Sequence, residues 1–397
     1  MTSEGLFDGI YGRGRAAAEV SGEAWVRAML EAEAALARVC TRENLIPPEA
    51  GEAIAVACLS AHFDVALLSR EAAEHASPLV PLVEALRAEV GAELAEYVHA
   101  GATSQDMLDT AAMLVSSRAT EVILEDARVA ADAAARLAEE HRGTVMCGRT
   151  LLQQALPTTF GLRAAGWLTG IQQSRTRLEE VRAHELAAQM GGPVGTRPPR
   201  IAAAVAEELG LAEPVLPWHT IRVPVAALAG ALGTLAGVLG KLARDVTLLA
   251  QDEIGELREG GGPGRGGSTA MGHKHNPVAS VSVLACTRRV PGLVATILAS
   301  MEQEHERAAG AWQAEWGTLT DLLALVGSAA SWSRELLEQL QVDRERMRQN
   351  LARLADAGVA AAAEPERQLG AASDLIDRAL AATRTSAEHL DKREDSQ

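Results

Sequence analysis

Three long segments of the chain repeat apolar residues at helical spacing, over about residues 104–140, 223–257 and 278–310. At a rise of 1.5 Å per residue, each helix would be roughly 50 Å long. The second segment is apolar nearly all round, which predicts burial on every side. The pattern therefore predicts an all-α fold, an elongated subunit with a central bundle of long helices. The surplus apolar surface predicts that bundles from several subunits pack together.

Shorter elements are predicted on both sides of the bundle. Amphipathic helices broken at Pro47 and Pro78 precede it, and a charged helix from about Val342 and a disordered tail from Asp391 follow it. No alternation of apolar and polar residues is long enough to support a sheet. The predicted units are an N-terminal helical domain (1–100), a central long-helix bundle domain (101–310) and a shortened C-terminal helical domain with a disordered tail (311–397).

Composition limits the classes of partner. Aromatic residues make up only 3% of the 397 residues, so Ala, Leu and Val must build the core. The net charge of −16 argues against binding to nucleic acid or to a membrane surface, because both require a basic face. The run 223–250 is long enough for a membrane span, but Lys241, Arg244 and Asp245 interrupt it. An acidic substrate would need a local cluster of cations.

Cysteine usage and the N-terminus bear on location. Cys40, Cys58, Cys147 and Cys286 lie far apart, without a CxxC motif or a Cys/His cluster, which indicates reduced thiols and no metal site. No basic segment followed by an apolar run opens the sequence, so no secretory signal is visible. We therefore expect a cytoplasmic protein.

A glycine-rich segment over residues 260–277 carries the strongest candidate chemistry. Six of its first eight residues are glycine, so the backbone can close over a ligand and reopen. Lys274 and Asn276 offer a cation and an amide for a carboxylate, and such groups can stabilise the alkoxide of Ser268. Taken alone, the segment is open to a second interpretation as a flexible linker.

A second segment, residues 99–106, lies just before the first long helix. Thr103 or Ser104 is well placed as its N-cap, and the free backbone N–H groups that follow favour an anion. Helix capping without any ligand is the alternative interpretation.

These two segments, together with residues 148–161, resemble the three signature regions of the fumarase/aspartase superfamily. The quoted sequences are Gly-Gly-Ser-Thr-Ala-Met-Gly-His-Lys-His-Asn-Pro, His-Ala-Gly-Ala-Thr-Ser-Gln-Asp and Gly-Arg-Thr-Leu-Leu-Gln-Gln-Ala-Leu-Pro. Within that superfamily the chain most resembles the lactonising branch, the 3-carboxy-cis,cis-muconate cycloisomerases, which are related to adenylosuccinate lyase. The resemblance implies a homotetramer whose active sites are shared between subunits, with no cofactor and a small polycarboxylate substrate.

The resemblance also implies roles for individual residues. Ser268 would be the catalytic base, and His75 and His99 match histidines that donate protons or bind anions in related lyases. The implied substrate-binding residues are Thr103, Ser104, Gln153, Arg222, Lys274, Asn276, His305 and Arg307. The shared chemistry moves a proton beside a carboxylate through an aci-carboxylate intermediate, whose extra charge explains the donors.

Several residues depart from the signature. Leu151 stands where fumarase-like members carry His, Gly272 replaces the usual Pro and His275 the usual Arg, and Val223 follows Arg222 where an Asp is expected. The fold prediction is unaffected, but the substrate stays open. The function predicted first is lactone formation by a cycloisomerase. The alternatives are a lyase that releases fumarate from a substituted succinate in specialised metabolism, and a catalytically silent helical scaffold.

Overall fold

A computed structural model describes residues 5–262, 264–272 and 274–394, with side chains up to residue 383. The described chain is mainly helical, as predicted. The helices are α1 (Asp8–Tyr11), α2 (Gly22–Arg42), α3 (Pro48–Ser60), α4 (Val65–His75), α5 (Leu79–Val90), α6 (Ser104–Glu140), α7 (Phe160–His184), α8 (Pro199–Leu209), α9 (Val223–Leu249), α10 (Val278–Ala299), α11 (Ala311–Glu338), α12 (Arg344–Asp356) and α13 (Ala372–Glu394).

Within the described residues, four short strands form two antiparallel ribbons, so the expectation that no sheet forms is wrong at two places. The strands are β1 (Val145–Thr150), β2 (Gln153–Thr159), β3 (Leu257–Glu259) and β4 (Leu340–Val342). Strand β1 pairs with β2, and β3 pairs with β4. With at most seven residues each, these strands are too short to give a clear alternating pattern in the sequence.

The bundle consists of α6, α7, α9, α10 and α11, which pack against one another along their lengths. The first predicted helix is confirmed at both ends, whereas the second ends at Leu249, where the chain turns towards Gly255 with φ +62°. The third ends at Ala299, and α11 begins after Gly310 at φ +108°. Helix α11, which begins at the predicted domain boundary at residue 311, packs against α6, α9 and α10. The division of the chain at that residue stays a prediction.

Helix α9 buries one face within the chain, and the burial of its other sides, predicted to come from packing between subunits, stays a prediction. Leu228, Leu232, Leu235 and Leu239 are fully buried at helical spacing. The opposite face, with Gly230, Thr234, Gly237 and Lys241, is exposed. By length and mean hydropathy, α9 and α10 could each cross a membrane, although both pack against other bundle helices.

Local sequence explains where several helices begin. The Ser21 hydroxyl accepts the N–H of Ala24 at the start of α2, and the Thr159 hydroxyl accepts that of Leu162 at the start of α7. At the other end of the chain, α13 continues through Glu394. The disorder predicted from Asp391 stays a prediction, and residues 395–397 lie outside the described part.

Candidate active site

The start of α6 is built around a buried carboxylate. Asp106 is fully buried, and its Oδ2 accepts the N–H of Thr103, the N-cap residue, at 3.1 Å and that of Gly192 at 2.8 Å. Its Oδ1 accepts the N–H of Gly191 at 2.9 Å. Asp106 therefore fixes Thr103 and Ser104 against the loop that carries the two glycines.

A buried histidine completes this arrangement. The Nε2 of His219 lies 2.8 Å from Asp106 Oδ1, and the His219 carbonyl accepts the side-chain N–H of Gln105 at 2.7 Å. A Cβ at Gly191 would come within 2.7 Å of the His219 ring, so only glycine permits this close approach. The carboxylate is thus saturated by structural partners and serves to shape the site.

Arg222 lies beneath this region in a buried ion-pair cluster. Its guanidinium donates to both carboxylate oxygens of Asp109, at 2.7 and 2.9 Å, and to Glu315 at 2.6 Å. The Trp312 indole N–H donates to Asp109 at 3.0 Å, and the Gln303 amide donates to Glu315 at 3.0 Å. In this structure the predicted substrate-binding guanidinium is occupied by protein carboxylates.

Electrostatics agree with this structural role. Burial raises the pKa of Glu315, and the neighbouring Arg222 only partly opposes that rise. Burial lowers the pKa of Arg222, but Asp109 and Glu315 more than offset it, so that its pKa is raised. The cluster therefore holds a permanent cation between two carboxylates.

His305 and Arg307 approach the same end of α6 from the segment after α10. Arg307 donates to the carbonyl of Pro193 at 2.9 Å and to the Gln105 side-chain oxygen at 3.4 Å. His305 is exposed, with φ +47°, and its carbonyl accepts the Thr220 hydroxyl at 2.8 Å. Both predicted residues therefore lie at the rim of the α6 start.

His99 lies on the turn that leads into α6. Its Nδ1 is 2.5 Å from Oε1 of Glu33, a carboxylate on α2 that is only 1% exposed. Burial lowers the pKa of His99, but the charge and hydrogen bond of Glu33 more than offset this, and the net pKa is raised. The structure thus provides one predicted histidine with a buried acidic partner.

The described residues of the glycine-rich segment, 260–262, 264–272 and 274–277, form a loop, which we call the lid. Ser268 Oγ accepts the N–H groups of Ala270 at 3.3 Å and Met271 at 3.2 Å. The backbone and side-chain N–H groups of Asn276 donate to the Gly266 carbonyl, at 2.8 and 3.0 Å. Gly266 has φ +70°, and a Cβ there would lie 2.5 Å from the Asn276 carbonyl, so this turn requires glycine.

Two contacts fix the lid to the bundle. Glu259 accepts the N–H groups of Ala279 and Ser280, each at 2.8 Å, and so joins the start of the lid to the start of α10. Arg265 pairs with Glu335, near the end of α11, and its guanidinium lies over the Trp332 ring, 5.5 Å from the centroid. Lys274 is exposed, whereas His273 lies outside the described residues.

The α6 start and the lid lie at opposite ends of one bundle. The α6 start is near the first residues of α9 and α11, through the contacts of Asp109 with Arg222 and Trp312. The lid is near the far end of α11, through Arg265 and Glu335. Because α9 contains 27 residues, these ends are roughly 40 Å apart. Ser268 and Thr103 of one chain therefore cannot meet on the same ligand.

Two further predicted residues also lie apart from the α6 start. His75 is exposed at the end of α4, and Gln153 is exposed at the tip of the β1–β2 hairpin. Beside Gln153, Leu151 is 96% and Leu152 75% exposed, with φ +50° and +64°. Two exposed leucines in left-handed conformation are costly in an isolated chain.

Sequence reasoning missed the acidic residues that organise these regions, namely Glu33, Asp109, Glu259 and Glu315. A weak signal existed for Asp109, which follows Asp106 by three residues and therefore lies on the same side of α6. The others are isolated carboxylates whose partners are distant in sequence. Among the described residues, no group of three or more His, Cys, Asp or Glu side chains is arranged to hold a metal ion.

Comparison with known proteins decides the family. Residues 13–292 match the sequence model of a lyase family. The chain belongs to this lyase family, within the fumarase/aspartase superfamily. The prediction made from the three signature regions is thereby confirmed, and the chain is an enzyme of that superfamily.

The similar proteins carry the names of more than one enzyme. The chain is 44% identical to a 3-carboxy-cis,cis-muconate cycloisomerase from Pseudomonas aeruginosa, over 87% of this chain and 77% of the relative. It is 43% identical to a nitrosuccinate lyase from Streptomyces davaonensis, over 84% and 74%. A solved structure of 3-carboxy-cis,cis-muconate lactonizing enzyme from Pseudomonas putida superposes with a TM-score of 0.86 at 34% identity, covering 95% of this chain and 98% of that one.

Proposed function

We propose that the protein is a 3-carboxy-cis,cis-muconate cycloisomerase, in which proton transfer beside a carboxylate accompanies lactone formation through an aci-carboxylate intermediate. The observation that supports this most is the lid, which presents Ser268 with two backbone N–H groups already directed at its hydroxyl. Those donors stabilise the alkoxide, as a serine base requires. Relatives with this name at 39–44% identity support the choice of substrate.

Each proposed group has a defined task. In lactone formation a carboxylate oxygen of the substrate adds across the double bond, and the Ser268 hydroxyl gives a proton to the carbon beside another carboxylate; in the reverse direction the Ser268 alkoxide takes that proton as base. Lys274 and Asn276 bind that carboxylate as its charge increases. The amide of Asn276 now donates within the lid, so substrate binding must rearrange the loop. Thr103 and Ser104, with the N–H groups at the α6 start, bind a second carboxylate. This chemistry uses protein groups alone, without metal or organic cofactor.

The site is completed between subunits. The separation of roughly 40 Å along α9 supports an active site in which Ser268 and Thr103 come from different chains. The exposed leucines beside Gln153 and the exposed face of α9 are surfaces that such an assembly would cover. We propose a cytoplasmic homotetramer in which neighbouring subunits supply the lid, the α6 start and the Gln153 hairpin.

A second candidate is a lyase that releases fumarate from a substituted succinate. The nitrosuccinate lyase relative, at 43% identity, favours it almost as strongly as the cycloisomerases favour the first. Leu151, an aliphatic residue where the resemblance leads one to expect an aromatic or imidazole ring, is compatible with either substrate. The retained Ser268, Lys274 and Asn276 disfavour a silent scaffold, since a scaffold needs none of them.

Ultraviolet assays separate the two enzymes. Loss of 3-carboxymuconate absorbance supports the cycloisomerase, whereas fumarate formed from nitrosuccinate or another substituted succinate, without muconate turnover, refutes it in favour of the lyase. Ser268→Ala should lower kcat by about 10²–10⁴-fold, the usual contribution of a general base. Near-normal turnover in that variant would exclude Ser268 as the base.

Mixing two inactive variants tests the shared site. Ser268→Ala and the double variant Thr103→Ala, Ser104→Ala should each be inactive alone, because each lacks one half of every site. After joint unfolding and refolding, about a quarter of the sites in a random mixture would contain both intact halves. Recovered activity near that level supports the proposal. A mixture as inactive as its parents contradicts it, provided that refolded wild-type protein regains activity.

A further inference from the structure

Glu33 is a carboxylate among the residues that α2 buries, nearly all of which are apolar. Its side chain is 1% exposed, and Ala32 and Ala34 on either side are equally buried. One oxygen, Oε1, meets His99 Nδ1 at 2.5 Å, while Oε2 has no hydrogen-bond partner among the described residues. A buried carboxylate is costly unless it is paired. His99 is therefore the interaction that offsets the cost of placing Glu33 here.

His99 is held in an unusual backbone conformation. Its φ is +65°, a left-handed value that few residues other than glycine adopt, and its carbonyl accepts the N–H of Ala102 in the turn before α6. The turn places the imidazole four residues before Thr103, the N-cap of the proposed carboxylate site. Tight turns that hold such a conformation are common where a side chain must be positioned for function.

The charged groups around His99 come from several elements. Glu33 on α2 and Asp106 on α6 favour the imidazolium, whereas Arg87 on α5 opposes it. Arg197 is a further cation nearby, because a Cβ added at Gly101 in the same turn would lie 3.5 Å from its guanidinium. Burial lowers the pKa of His99, yet the net direction is upward, and Glu33 contributes more to this rise than Asp106 does.

We propose that Glu33 is a positioning residue that accepts the Nδ1–H of His99 and so presents the other ring nitrogen, Nε2, as a proton donor beside the carboxylate site at the α6 start. The role rests on the proposed function, since it assigns the group that returns a proton to the Ser268 alkoxide in that reaction. A neutral acceptor in place of Glu33 could keep the ring orientation but not the charge. Substitution of Glu33 can therefore separate its effect on the orientation of the His99 ring from the effect of its charge on that ring.

The effect of the Glu33 charge on the pKa of His99 is tested without substrate. Diethyl pyrocarbonate modifies neutral imidazole, so the rate of His99 labelling against pH, followed by mass spectrometry of its peptide, reports the pKa of that residue. In Glu33→Gln the pKa should fall by about one unit or more, because an adjacent carboxylate typically shifts a pKa by one to three units. Glu33→Asp, which retains the charge, should stay closer to the wild type. The matched control is Glu31→Gln, which changes another carboxylate of α2, one that forms a partly buried ion pair with Arg118 of α6.

Catalysis provides the second measurement. In Glu33→Gln the high-pH limb of kcat should move to lower pH by the same shift, with a loss of about tenfold or more at neutral pH and little change in KM. An unchanged labelling profile in Glu33→Gln overturns the inference even if the wild type turns over 3-carboxymuconate. A shifted profile without any shift in the kcat limb also overturns it. Absence of wild-type turnover on every substrate refutes the proposed function instead, whatever the labelling shows.

Discussion

Replacing Arg222 by Met should destabilise the protein strongly, because it leaves two buried carboxylates without their cation. Arg222, Asp109 and Glu315 are each at most 3% exposed. The guanidinium donates at 2.6–3.1 Å to oxygens of both acids. Removing one partner of a buried ion pair typically costs about 3–5 kcal/mol. Methionine fills most of the volume, so the loss comes chiefly from charge and hydrogen bonding and not from a cavity.

This magnitude converts into a measurable melting shift. With an unfolding entropy of about 2.1 cal/mol/K per residue over 397 residues, a loss of 3–5 kcal/mol lowers Tm by roughly 4–6 °C. The deficit should also depend on pH. Without Arg222, the already raised pKa of Glu315 rises further, and an acid with a raised folded-state pKa loses stability as pH increases above its unfolded value, about 4.3. The deficit should therefore be larger at pH 8 than at pH 5.

Differential scanning calorimetry of wild type and Arg222→Met at the two pH values checks both statements. Arg128→Met is the matched control, since it removes an arginine that pairs with two carboxylates on the exposed side of α6, where the side chains are 43–49% exposed. We expect the control to cost less than about 1 kcal/mol. A Tm loss for Arg222→Met no larger than that of the control, or one that does not vary with pH, would refute the reasoning.

Two further predictions concern the lid and the His99 pair. Glu259→Gln should raise the rate of hydrogen exchange across residues 260–277 and lower the free energy of unfolding by about 1 kcal/mol, because the Glu259 carboxylate accepts the first N–H groups of α10. Unchanged exchange would show that the lid does not depend on this contact. The pKa of His99 is raised in the folded state. The stabilisation of the fold by the His99–Glu33 pair is therefore fully present below the unfolded-state pKa, about 6.5, and is lost as pH rises through the folded-state pKa. Urea unfolding of His99→Gln should therefore show a smaller fall in stability from pH 6 to 8 than the wild type, and parallel curves would contradict this.

The long helices could be predicted because their signals are local. Thr103 and Ser104 mark the start of α6, and apolar spacing carries the helix to Glu140, where the structure also ends it. The end of α9 was predicted eight residues late, because distant residues hold the turn that follows it: Arg346 and Asn350 of α12 donate to the carbonyl of Ile254. Local periodicity therefore predicted helix existence better than helix ends.

The site was less predictable because its partners are distant in sequence. Glu33 and His99 are 66 residues apart, and Arg222 and Glu315 are 93 apart. The signature motifs identified Ser268 and Thr103 as chemical groups but could not show that one chain places them at opposite ends of a bundle. Nor could they show that Arg222 is saturated by Asp109, because an arginine in a motif does not reveal its partner.

The length of the bundle has a consequence for how mutations would combine in a cell that makes two versions of the protein. If every active site contains the lid of one chain and the α6 start of another, a mutant chain impairs sites to which wild-type chains also contribute. Defects in Ser268 and in Thr103 would then compensate each other in mixed assemblies, while two defects in the lid would not. In such a shared site, the 27 residues of α9 would be the spacer that separates the two halves, and activity would depend on which chains assemble together.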